Sequence, residues 1–233
     1  MPPEMTILMP VFNESERIGK ALDDVFGTDW PFPIELIVVD DGSTDGTRDF
    51  LRSYSWPEWA HVHFHDGNQG KGGAVRTALG HATGRFSVIF DADLEYKADE
   101  LVPLVEPLRD GLTNASFGVR VFDGYTSHSF LYVMGNRFVT LAANVLFNVY
   151  LHDLMTCFKA IRTDIFRELQ LRENGFTIEP EIAARLIQHG ERIYEVPISY
   201  RARSFEEGKK LTTRDGLRTV ATLVRCRLRP LPR

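Results

Sequence analysis

The sequence predicts an α/β chain built on a mainly parallel sheet with helices on both faces, and three observations carry that expectation. Four short apolar runs in the first half of the chain each fit a buried strand. Between them lie segments with apolar residues at helical spacing, so strand and helix alternate as they do when crossover helices join parallel strands. Each run gives way to polar or glycine-rich residues, which gathers four polar loops on one edge of the sheet, where open sheets of this class hold ligands.

The elements follow from their residues in order. Met5 to Phe12 (M-T-I-L-M-P-V-F) reads as a buried strand interrupted by Pro10, and Asn13-Glu14-Ser15 then offers capping side chains to a helix through Ile18, Leu22 and Val25. Ile34 to Val39 is a second strand. It ends in Asp40-Asp41-Gly42-Ser43-Thr44-Asp45, whose last three residues are available to cap a helix through Phe50 and Leu51. Val62 to His65 is a short third strand, and G-N-Q-G-K-G-G (67–73) leads into the helix A-V-R-T-A-L-G-H-A. The glycine-rich stretch has two readings, a turn that gives the helix a close start or a phosphate contact at its first turn. A dinucleotide fingerprint is missing after the first strand, where the residues are P-V-F-N-E-S, and no P-loop is present.

Val88, Ile89 and Phe90 form the fourth strand and deliver Asp91 and Asp93 at its carboxyl end. Alternate residues of a strand share a side, so these two fall together and Glu95 continues the row if the extended geometry persists. Carboxylates so close repel unless a cation sits among them, and a hard divalent ion such as Mg2+ or Mn2+ suits oxygen ligands and substrate phosphates. The other reading is a solvated acidic turn.

Composition narrows the classes. At 233 residues and 43% hydrophobic content the chain is expected to form one domain over 1–233. A net charge of −5 argues against general nucleic-acid binding, although the chain from Arg201 onward is rich in Lys and Arg. Cys157 and Cys226 form neither a disulfide framework nor a zinc spacing, and the amino end M-P-P-E-M does not read as a signal peptide, so the cytoplasm is the expected compartment. The apolar segment 128–152 is interrupted by Asn136, Arg137, Asn144 and Asn148. It is expected to lie as a helix, or two, at a membrane interface, a buried hairpin of core helices being the competing reading. Residues 211–229 form a basic C-terminal helix that suits anionic lipid, a partner helix or the end of the domain.

Taken together, P-V-F-N-E (10–14), V-V-D-D-G-S-T-D-G-T (38–47), N-Q-G-K-G-G-A (68–74) and D-A-D-L-E (91–95) resemble the ordered signatures of family two inverting glycosyltransferases. D-L-M-T-C-F-K-A (153–160), G-F-T-I-E-P-E-I (175–182), E-V-P-I-S-Y (195–200) and R-S-F-E-E-G-K-K (203–210) continue the resemblance, which is narrowest to dolichol-phosphate mannose synthase and bacterial polyprenyl-phosphate glycosyltransferases. It implies a GT-A fold, a GDP- or UDP-sugar donor, Mg2+ or Mn2+, and a polyprenyl (dolichyl-type) monophosphate acceptor. On this resemblance Pro10, Asn13, Glu14, Asp40 and Asp41 surround the nucleoside, and Lys71 joins the donor-binding set. Asp91 and Asp93 face the diphosphate and metal, with Glu95 as a third ligand. Arg120 approaches the acceptor phosphate, with Arg137 a second candidate, while Arg203, Lys209 and Lys210 belong to a loop that closes over the donor phosphates. A phosphate monoester is largely dianionic at neutral pH and needs no strong base; Asp153 is the matched residue if one is used. The same resemblance implies peripheral attachment at the inner face of the membrane, directly or through a membrane-protein partner. The alternatives are a transferase of this fold acting on a sugar hydroxyl or a protein, which needs a base, and a non-catalytic nucleotide-sugar-binding subunit.

Overall fold

Alternation along the strands sets the two faces of the sheet. In β1 (Met5–Val11), Ile7 and Met9 enter one apolar cluster and Leu8 the other; in β2 (Ile34–Asp40), Leu36 and Val38 divide from Ile37 and Val39 in the same way. Both strands are buried on both sides, which is why they read as unbroken apolar runs. The computed structural model describes residues 2–120, 130–201 and 213–230.

With β3 (Ala60–Phe64), β4 (Phe86–Ile89), β5 (Ala115–Arg120), β6 (Lys159–Arg162) and β7 (Ile193–Ile198), these strands form one sheet in the order β3-β2-β1-β4-β6-β5-β7. The pairs β1–β2, β1–β4, β2–β3 and β5–β7 are parallel. β6 runs antiparallel to β4 on one side and β5 on the other, so β4 and β5 point the same way. The carboxyl ends of β1, β2, β4 and β5 therefore share one edge.

Helices α1 (Ile18–Gly27), α2 (Thr47–Ser53) and α4 (Leu101–Arg109) cover one face, with Ile18, Leu22, Val25, Leu51, Leu101 and Leu104 in the first cluster. On the other face lie α3 (Lys71–His81), α5 (Phe130–Phe147), α6 (Thr163–Glu168), α7 (Ile178–His189) and α8 (Thr213–Leu228). The single helix α5 replaces the expected hairpin alternative, and Asn148, in the left-handed region at φ 53°, ends it. Val139, Thr140 and Ala143 are buried on its inner side, whereas Met134, Phe138, Leu141 and Val145 are exposed. Among the described residues no helix is long and apolar enough to cross a membrane.

The caps differ from expectation. Neither α1 nor α2 has a side-chain cap at its N-cap residue, which is Arg17 in one and Gly46 in the other. Most of the polar residues bond across to the neighbouring loop, while Asp45, one position before the N-cap, also accepts the Thr47 N–H at 3.1 Å and the Thr47 hydroxyl at 2.6 Å at the start of α2. Asn13 accepts at Oδ1 from the Thr44 N–H and donates its own N–H to Ser43 Oγ, both at 2.9 Å. The Glu14 N–H donates to Thr47 Oγ1 and the Ser15 N–H to Asp45 Oδ2, each at 3.0 Å. Parallel strands β1 and β2 release their loops side by side, so polar groups of one loop find partners on the other.

Candidate active site

The second strand's two carboxylates are consumed by the fold. Asp40 is fully buried, accepts the Ser43 N–H at 3.2 Å and is paired with Arg48 Nε at 2.7 Å. Asp41 accepts the Gln69 N–H at 2.9 Å and the Gly70 N–H at 2.7 Å, and meets His65 Nδ1 at 2.7 Å. Asp41 thus ties the glycine-rich turn to the end of β2. Asn13 and Glu14, expected beside them at the nucleoside, belong to the cross-loop bonds above, and Pro10 sits in β1 opposite Val39.

The turn itself faces protein. The backbone N–H groups of Gly72 and Gly73 both donate to the Asn174 carbonyl, at 2.6 and 3.3 Å. A Cβ at position 72 would collide with the Glu173 carbonyl oxygen, so glycine is required here by the close approach of another backbone. This corrects the phosphate reading of these N–H groups: their acceptor is a carbonyl.

Lys71, the first residue of α3, reaches the sheet edge. Its Nζ lies 2.7 Å from Asp91 Oδ2, 2.8 Å from Glu179 Oε1 and 3.1 Å from Cys157 Sγ. Lys159, fully buried in β6, lies 2.8 Å from Glu179 Oε2 and donates to the carbonyls of Leu154 and Thr156. Two lysines and two carboxylates therefore alternate in a buried chain of ion pairs. Glu179's contacts are ionic rather than directed hydrogen bonds. Burial works against the Lys71 ammonium, but Asp91, Cys157 and Glu179 more than compensate and hold its pKa well above the ordinary value. Burial, then the charge of Asp91, pushes the Cys157 thiol well up, so this cysteine is no thiolate nucleophile.

The expected row of three carboxylates does not form. β4 ends at Ile89, and Leu94 adopts φ 62°, which turns the chain out of the extended geometry that the row requires. Asp93 Oδ1 accepts the Glu95 N–H at 3.1 Å, while Glu95 Oε2 accepts the Tyr200 hydroxyl at 3.1 Å. Glu95 is drawn toward β7's exit, and among the described residues no group of three or more His, Cys, Asp or Glu is arranged to hold a metal ion.

At the carboxyl end of β5, Arg120 forks onto Asp153, Nε to Oδ2 at 2.6 Å and Nη2 to Oδ1 at 2.8 Å. Asn136 of α5 donates to the same carboxylate at 3.0 Å, and the guanidinium carbon lies 4.9 Å from the Tyr200 ring centroid. Burial pushes the Asp153 carboxyl up, but Arg120 and Asn136 overcome it and leave the pKa below its usual value. Arg137 is exposed on α5. Arg203, Lys209 and Lys210 lie outside the described residues.

The sequence model for glycosyl transferase family 2 matches residues 6–170. The chain belongs to that family. Among its relatives is glycosyltransferase AglJ of Haloferax volcanii, 30% identical over 201 residues that make up 85% of this chain; the match spans only 63% of AglJ. Among solved structures, the Mycobacterium tuberculosis glucosyl-3-phosphoglycerate synthase, in complex with Mn2+, UDP and glucosyl-3-phosphoglycerate, superposes with a TM-score of 0.72 at 21% identity over 96% of this chain and 79% of that one. Staphylococcus aureus TarS (1–349) gives 0.61 at 16% identity over 95% and 70%. These likenesses make the fold GT-A, with the mostly parallel sheet and flanking helices described above.

The polar motifs that follow β1, β2 and β4 gather on one edge of the sheet, as expected. They did not identify Lys159, Cys157 and Glu179 as parts of the site. All three stand inside motifs quoted above, yet the contacts of Lys71 with Cys157 and Glu179, and of Glu179 onward with Lys159, join segments far apart in the chain, which no local pattern encodes.

Proposed function

We propose that this family two chain transfers a hexosyl group from a nucleotide sugar to a polyprenyl monophosphate, with inversion in a single displacement. One observation carries the acceptor assignment: Asn136 attaches α5 to the Arg120–Asp153 pair, while the opposite side of that helix exposes Met134, Phe138, Leu141 and Val145. At 100° per residue these four fall on one stripe, nearly half a turn from Asn136. A half-buried cation suited to phosphate and an apolar outer surface thus meet through α5, as a phosphate on a long hydrocarbon requires.

The residues divide the work as follows. Lys71, fixed by Glu179, places positive charge beside Asp91, where the donor diphosphate of UDP- or GDP-sugar is expected. Arg120, fixed by Asp153 and Tyr200, holds the acceptor phosphate. A phosphate oxygen attacks the anomeric carbon as the bond to the diphosphate breaks on the opposite face, the bonding pair leaving with the nucleoside diphosphate. The attacking group is already anionic at neutral pH. Asp153 serves as a positioning residue, because a carboxylate forked by arginine and held below its usual pKa makes a weak base. Lys71 takes only Oδ2 of Asp91, so Asp91 and Asp93 offer the one or two carboxylates that Mg2+ or Mn2+ commonly takes from a protein, and the ion they would hold supplies charge to offset that of the departing diphosphate. The Mn2+ in the mycobacterial relative's UDP complex supports this.

A second reading, transfer to a hydroxyl of a phosphorylated small molecule, is favoured by the same synthase, solved with phosphoglyceric acid as well. One assay separates the two. Arg120→Lys keeps the charge but loses the fork, and is expected to lower turnover with polyprenyl phosphate about tenfold, a barrier increase of about 1.4 kcal/mol, without changing the donor Kd. A matching loss of donor affinity would move Arg120 to the diphosphate, and turnover with phosphoglyceric acid but not with polyprenyl phosphate would establish the second reading.

A further inference from the structure

A second concentration of charge lies away from the sheet edge, where the segment before α7, α7 itself and the last turn of α8 enclose a cavity of about 160 Å³. Its wall includes Arg172, Glu173, Glu181, Arg185, Arg225 and Arg229, four guanidinium groups to two carboxylates. Both carboxylates are largely engaged. Glu181 Oε2 accepts the N–H groups of Arg172 and Glu173 at 2.9 and 2.8 Å. Glu173 pairs with Arg225 through Oε1 and accepts the Thr177 hydroxyl at Oε2, 2.6 Å.

Arg185 is the telling residue. It is only 7% exposed, and its Nη1 donates to Gln188 Oε1 at 3.1 Å and to the Arg229 carbonyl at 2.8 Å. Its Nε, also buried, has no hydrogen-bond partner, since Glu181 Oε1 is 3.9 Å away and beyond bonding range. A buried charged donor left without an acceptor is costly, and an anion in the cavity supplies one. Arg172 and Arg229 are exposed at the rim, and neither guanidinium meets a carboxylate among the described residues. Cys226 adds no negative charge, because burial pushes its thiol up to about 11.

We infer that this cavity binds a phosphate-class oxyanion, at a site separate from the transfer site. Arginine forks match the paired oxygens of a phosphate, and the volume admits one such group but not a nucleotide. Two sources share that chemistry. A free phosphate or phosphorylated small molecule enters from solvent; alternatively, the group is a lipid phosphate, since α8 exposes Val224 and Leu228 beside the same arginines. The inference stands on this cavity alone and does not depend on the transfer reaction.

The test uses the full chain and an Arg172→Gln/Arg229→Gln double variant, both positions being exposed, with Arg120→Lys as the control altered at the sheet edge. Inorganic phosphate is titrated at constant ionic strength against chloride while Tm is followed. In parallel, flotation is measured on phosphatidylcholine vesicles with and without phosphatidic acid. A saturable phosphate-dependent rise in Tm whose apparent Kd weakens at least tenfold in the double variant, but not in the control, identifies a soluble ligand. Absence of that rise, together with phosphatidic-acid binding lost in the double variant alone, identifies a lipid phosphate. Phosphate and vesicle responses that are absent, or that match between wild type and double variant, overturn the site.

Discussion

The exits of β2 and β4 look alike in sequence, a buried apolar strand followed by two aspartates, and their carboxylates are held differently. After β2, Asp40 and Asp41 are saturated by backbone N–H groups, Arg48 and His65, all fixed in the scaffold. After β4, Asp91 shares one oxygen with Lys71 in an ion-pair chain, and Asp93 accepts the Glu95 N–H at the edge of the turn. Saturation by several donors makes a carboxylate part of the architecture, whereas engagement through one oxygen leaves the other able to act on a charged ligand. The number of donors, rather than the motif, separates the two exits.

Substituting the two pairs alike gives the sharpest break of that comparison. Asp93→Asn is expected to lower transfer by about 10²-fold or more, the scale of losing one transition-state electrostatic contact, with Tm nearly unchanged in a thermal melt. Asp41→Asn is expected to act in the other direction. It removes the charge from a buried, fully bonded site and should cost about 3 kcal/mol of stability, read from denaturant unfolding. If Asp93→Asn unfolds the chain and Asp41→Asn leaves it stable but inactive, the two exits have been assigned the wrong way round.

The next effect tests what Asp41 holds in place. Gly72→Ala sets a methyl against the Glu173 carbonyl, and overpacking of this kind costs about 2 kcal/mol. Because Lys71 precedes it, the variant should also weaken donor binding, measured by nucleotide titration. An unchanged Tm would show that the turn has room to shift.

The smallest effect is pH-dependent. Burial raises the Asp45 carboxyl, but the Thr47 hydroxyl and the N–H groups of Ser15 and Thr47 reverse this and bring it from 3.8 to about 2. The folded chain therefore keeps this charge at pH values where the unfolded chain has taken a proton. Its contribution is complete above about pH 4 and is lost as pH falls toward 2. Asp45→Asn is expected to cost about 1 kcal/mol at pH 7, a figure discounted for the exposure of this residue, and the difference from wild type should close over that window in acid unfolding curves. A gap independent of pH would mean that the amide fails for steric reasons.

Much of this was legible. The apolar runs located β1 to β4 and α1 to α3, because strands buried on both faces and helices buried on one leave periodic marks in the sequence. The misreadings share one cause. Asn13 has the chemistry of a cap, but the residue that competes best for it is on a neighbouring loop; Glu95 continues an alternation that Leu94 breaks with a left-handed backbone. Local patterns assume local partners.

The sequence by itself determined the family, the alternation of strand and helix and the edge on which the polar loops collect, since these depend on hydrophobic period and on motifs read in order. Only the tertiary structure decided that β6 enters antiparallel between β4 and β5, that Lys71 is clamped between Asp91 and Glu179, and that Arg120 is forked by Asp153. Those pairings join residues 20 to 108 positions apart in the case of Lys71 and 33 apart in the case of Arg120. Electrostatic energy depends on distance in space and on burial, and neither is set until the sheet has assembled and water has been excluded.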